Sequence, residues 1–133
     1  MDICEQIRRE RGASITRCGV IDAQMSVSET ARAFGLDEDD AIYRRVGRTE
    51  AEAIISDVLH ADLAYGVTIM SVSRAADLWQ QFMSLFDGQD VHFVTNVADL
   101  EKSWMPATQA TFDMGVLVIG ATKVGCLWVE GED

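Results

Sequence analysis

Apolar positions recur along the chain in two rhythms, one of three to four residues and one of two, dividing it into helical and extended segments. Ile3 and Ile7, with charges between them, predict a short opening helix that ends near Gly12. Arg8, Arg9 and Arg11 fall in its last turn, where the helix dipole favours cations. Ile15, Cys18, Val20 and Ile21 predict a strand. Ser28 ahead of residues 29–34, with Gly35 behind, predicts a short capped helix. Asp37, Glu38, Asp39 and Asp40 then open a second helix through Ile42, Tyr43 and Val46, with Arg44, Arg45 and Arg48 near its C-terminal end.

Thr49-Glu50-Ala51-Glu52 has the form of a capping box, and Ala51, Ile54, Ile55, Val58 and Leu59 share one face of the helix it would start. Residues 63–70, rich in β-formers around Gly66, predict a largely buried strand. Ser73 caps a helix carrying Ala75, Leu78, Trp79, Phe82 and Phe86, with Gly88 as its stop, and residues 91–95 return as a strand. A strand, a helix and a strand in succession predict a right-handed parallel crossover. Residues 112–119 and 124–129, joined through Gly120, predict a closing β-hairpin. The fold class is therefore α+β, a mixed α/β chain, with four or five mostly antiparallel strands and helices packed on them. Its 133 residues, 48% hydrophobic and with Pro106 the single proline, suit one domain over residues 1–133.

Charge changes the picture. Eleven basic residues stand against 22 acids, a net −11. Residues 1–49 hold eight arginines and nine acids, net −1, whereas residues 50–133 hold Arg74, Lys102 and Lys123 against thirteen acids, net −10. Such a field repels nucleic acid, anionic membranes and acidic substrates, and it speeds encounter with basic partners. It also serves simple solubility. The charged start, Met1 to Arg9, lacks the apolar core of a secretory signal. The longest stretch free of Asp, Glu, Lys and Arg, residues 63–73, is eleven residues, too short to span a bilayer. The expectation is a cytoplasmic chain without membrane association. Cys4, Cys18 and Cys126 have no CxxC spacing and read as reduced, buried thiols.

The candidate chemistry is sparse. His92 with Cys126 is the minimum pair for thiol nucleophilic catalysis, and His60, Asp62 and His92 are the available zinc ligands, without HxxxH or HExxH spacing. Residues 120–125 resemble a phosphate loop superficially, but a strand follows where a P-loop needs a helix. No catalytic residue, cofactor or metal is expected. Residues 28–48 resemble a helix-turn-helix, although the acids at 37–40 would stand where a recognition helix meets phosphates and base edges.

Residues 112–119, followed by Val124-Gly125-Cys126-Leu127-Trp128-Val129-Glu130-Gly131-Glu132-Asp133, resemble the closing hairpin of small immunity proteins of bacterial toxin-immunity systems, including contact-dependent growth inhibition. The resemblance implies a cytosolic inhibitor that binds the toxin domain of its own lineage, often a nuclease, and does no chemistry itself. A nuclease presents Arg and Lys to its substrate, and a carboxylate-rich surface with aromatic anchors suits that target. The expected partner-binding residues are Asp87 and Asp90, then Asp99, Glu101 and Trp104 in the long loop, then Glu130, Glu132 and Asp133. Trp104 is the expected anchor, and Trp79 and Trp128 are expected in the core. Three classes remain open: a toxin-binding immunity protein, a DNA-binding or DNA-mimicking regulator, and a small enzyme of unrecognised family.

Overall fold

The computed structural model describes residues 1–98 and 103–132. The chain runs through α1 (Ile3–Arg11), β1 (Thr16–Ile21), α2 (Val27–Ala33), a 3-10 turn (Asp40–Ile42), β2 (Arg44–Val46), α3 (Arg48–His60) and α4 (Val72–Met83). A second 3-10 turn (Ser84–Phe86), β3 (Val91–Thr95), β4 (Phe112–Gly120) and β5 (Val124–Gly131) complete it. The five strands form one sheet in the order β1-β5-β4-β3-β2, and every neighbouring pair is antiparallel. The fold is α+β with a C-terminal hairpin. None of the helices among the described residues is long and apolar enough to cross a membrane.

Both faces of the sheet are covered, which is why β4 and β5 read as nearly unbroken apolar runs. On one face Met114, Val116, Val118, Leu127 and Val129 pack with Ile7 of α1, Ile55 and Leu59 of α3, and Leu78 and Phe82 of α4. Trp79, Phe82, Phe86 and Phe93 form a chain of rings across this layer, with centroids about 6 Å apart. Gly125 makes room for it, because a Cβ there would lie 2.7 Å from the Phe86 ring. On the other face Leu117, Ile119, Val124, Cys126 and Trp128 are covered by Ala31, Leu36 and Ile42.

Several expected elements are placed differently. Residues 37–48 do not make a helix: the Asp37 side chain accepts from Asp39 N and the Asp39 side chain from Ala41 N, local bonds that compete with helical ones. Arg44, Arg45 and Val46 instead extend the sheet beside β3, so the second helix of a helix-turn-helix does not exist. Residues 63–70 are not a strand, and the parallel crossover goes with them: the segment is a looped connection with one bridge, Ala61 to Thr68. Caps move as well. Ser26, not Ser28, closes a capping box with Glu29, Ser71 rather than Ser73 accepts from Arg74 N, and α3 has Gly47 at its N-cap and therefore no side-chain cap.

One buried carboxyl organises the second face. Asp113 of β4 is fully buried. Its oxygens accept from Asn96 Nδ2 at 3.1 Å, Ala107 N at 3.1 Å, Thr108 N at 3.3 Å, Thr108 Oγ1 at 3.1 Å and Trp128 Nε1 at 3.0 Å. Asn96 in turn donates to Met105 O and accepts from Gly115 N. An unpaired donor in such a place costs about 1–3 kcal/mol. Asp113→Asn turns an amide toward these donors, and we expect it to lower the unfolding free energy by about 3 kcal/mol in urea denaturation followed by tryptophan fluorescence.

Candidate protein-binding surface

The hairpin separates the expected binding residues into two groups. Asp87 and Asp90 lie beyond α4 at the turn end of the hairpin, where Val91 faces Gly120 and Thr122 N donates to Gln89. Both are exposed, and neither carboxylate has a hydrogen-bond or ion-pair partner among the described residues. Glu130 and Glu132 sit at the open end, where Phe112 faces Gly131. At about 3.4 Å per residue, the two ends are roughly 27 Å apart. Asp99, Glu101 and Asp133 lie outside the described residues.

At the open end, side chains are engaged internally. Glu130 forms an ion pair with Arg17. Glu132 accepts from Thr111 Oγ1 at 2.6 Å. Both acids, with Asp37, line an open cleft of about 720 Å³ around Arg17. Trp104 is half-buried, bridges to Val97, and packs its ring 5.3 Å from that of Phe112. Replacing it therefore removes packing as well as surface. Trp79 and Trp128 are buried in the core.

The connection between α3 and α4 is where the structure departs most from expectation. The β-formers of residues 63–70 are carried on the surface: Tyr65 is 71% exposed, Val67 61% and Ile69 40%, with Val72 exposed just beyond. Grouped exposed apolar side chains mark interaction sites more often than scattered ones do. The loop is nonetheless tightly built. Asp62 accepts from Ala64 N, Tyr65 N and Val67 N, Gly66 takes a left-handed φ of 70°, and Asp62 N donates to Val67 O.

Two further groups tie the loop to α3. His60 Nδ1 lies 2.6 Å from Met70 O, and Ile69 N donates to His60 O. Arg11, buried at the end of α1, donates its Nε to Val58 O at 2.8 Å and an Nη to Ala61 O at 3.2 Å, capping the C-terminus of α3 with a cation. Desolvation works to raise the Asp62 carboxyl, but the three backbone donors and the Arg11 charge outweigh it and hold it below the ordinary range. The only signal for this surface in the sequence was the apolar run itself, and its β-propensity pointed to burial.

The catalytic alternatives find little geometry. His92 and Cys126 share a sheet face, but β4 lies between their strands and they are offset by two residues, which sets them about 12 Å apart. Burial pushes the fully buried Cys126 thiol far up, away from the thiolate a nucleophile needs. Burial and, second, the Arg45 charge lower His92. Among the described residues no group of three His, Cys, Asp or Glu side chains gathers to hold a metal. Residues 120–123 form the hairpin turn, closed by Gly120 N to Lys123 O at 2.9 Å.

Asp62→Ala removes the acceptor that fixes the loop. Hydrogen exchange at Ala64, Tyr65 and Val67 should become much faster while β4 and β5 keep their protection. Unchanged protection at these amides would show that the loop is held by other means. In comparisons with known proteins, no family model, curated protein or solved structure matches this chain.

Proposed function

We propose that this chain is an acidic protein-binding module, an immunity protein that binds and neutralises a basic toxin domain, with a nuclease as the favoured target. The observation that carries the reading is the unbalanced charge of residues 50–133 together with how two of its three cations, Arg74 and Lys123, are spent, Lys102 lying outside the described residues. Arg74 pairs with Glu10 and Asp77, and Lys123 donates to Leu85 O and lies near Asp22. Asp57, Asp87 and Asp90 keep no side-chain partner among the described residues. Carboxylates left free on the surface attract a basic partner over about a Debye length, and exposed apolar side chains slow its departure.

The DNA-binding alternative needed Arg44 and Arg45 on a recognition helix. Arg44 instead donates from an edge strand to Val97 O and pairs with Glu50, so it is not available to phosphate.

Co-expression with the C-terminal domain of a large secreted protein encoded beside this chain tests the reading. The expected result is a stable complex that co-purifies and restores growth to cells producing the toxin domain. Growth arrest that persists, with no complex on size-exclusion chromatography, would contradict it.

A further inference from the structure

Beside the exposed loop lies an apolar groove. Ala53, Ile54 and Val58 of α3, Leu63, Val97 and Met114 line it, enclosing about 200 Å³. Glu50, Asp57 and Asp62 also line it, and among the described residues no Lys or Arg does. Val58, Val97 and Met114 are buried, whereas Ala53 is exposed, so the groove opens outward along α3. Gly66 lines the same groove, and its chain neighbours Tyr65 and Val67 are exposed.

We infer that this groove docks a segment of a partner protein in which a large apolar side chain is flanked by Lys or Arg. The inference rests on the reading of the chain as a binder of a basic partner and places the anchor contact of that partner. Charge selects the occupant. An apolar side chain fills the groove, and a flanking cation gains attraction from Asp57 and Asp62 that a neutral segment forgoes and an acidic one turns into repulsion, Glu50 being already paired with Arg44. A second copy of this chain, also at net −11, brings its own acids to the same rim. The loop's own bonds matter too. The backbone at Tyr65 and Val67 is held by Asp62 before any partner arrives, so little backbone ordering remains to oppose binding.

The test uses the full chain and a synthetic peptide of about twelve residues composed of Lys, Leu and Trp, with Lys/Ser and Glu/Leu/Trp peptides for comparison. Amide shifts in NMR titration should cluster at Ala53, Ile54, Asp57, Leu63, Tyr65 and Gly66. Ala53→Arg, a change on an exposed helical position, should weaken the Lys/Leu/Trp peptide about tenfold or more, and both comparison peptides should bind about as weakly. Shifts centred on Asp87 and Asp90 or on Glu130, equal binding of the Lys/Ser peptide, or self-association through Tyr65 would each overturn the inference. In a toxin-domain complex, Ala53→Arg and Tyr65→Ser should each raise Kd about tenfold or more. A complex untouched by either variant removes the groove while leaving the inhibitor reading intact. Peptide binding at the groove without any neutralised toxin domain does the reverse.

Discussion

Asp113 is the constraint on which the rest of this fold leans. A carboxyl side chain in the middle strand of a sheet covered on both faces is tolerable only where donors surround it. Here Asn96, Ala107, Thr108 and Trp128 supply them. In doing so Asp113 ties the end of β3, the segment entering β4, and the largest side chain of β5 to one point. Trp128 is held with its indole N–H inward, and Tyr43 packs edge-on against it at 6.1 Å. The second face of the sheet is thus fixed by hydrogen bonds, while the first is fixed by the aromatic and aliphatic packing of α1, α3 and α4.

A second polar device does for the surface what Asp113 does for the core. Arg11 closes the C-terminus of α3, Asp62 gathers three backbone amides, and His60 holds Met70. The outcome is a loop that keeps its polar backbone satisfied while it turns Tyr65, Val67 and Ile69 to solvent. A chain that needed only stability would bury these side chains. Burying a side chain of this kind is worth about 1.5–3 kcal/mol, so leaving them out fits a binding surface better than a structural one.

The sequence made the sheet and its helices legible wherever periodicity was strong and local. The hairpin of β4 and β5, the helix around Leu78 and Phe82, and the opening helix with its basic end all follow from side-chain spacing. It misled where short-range bonding or edge position decided the matter. The acids at 37–40 look like a helix start, yet Asp37 and Asp39 spend their side chains on turns two residues ahead, and Arg44 to Val46 are captured by the open edge of β3. Residues 63–70 have the composition of a strand, but their backbone groups are taken by Asp62 and His60. The candidate acids were legible as residues and not as a surface, because a hairpin of nine and eight residues sets Asp87 and Asp90 far from Glu130 and Glu132.

Under the proposed function, free carboxylates bring a basic partner in and apolar contacts keep it. The most direct measurement is the association rate constant with the partner toxin domain across ionic strength, by stopped-flow fluorescence. The expected rate falls about tenfold or more between low and high salt while the dissociation rate changes little. An association rate indifferent to salt would contradict it.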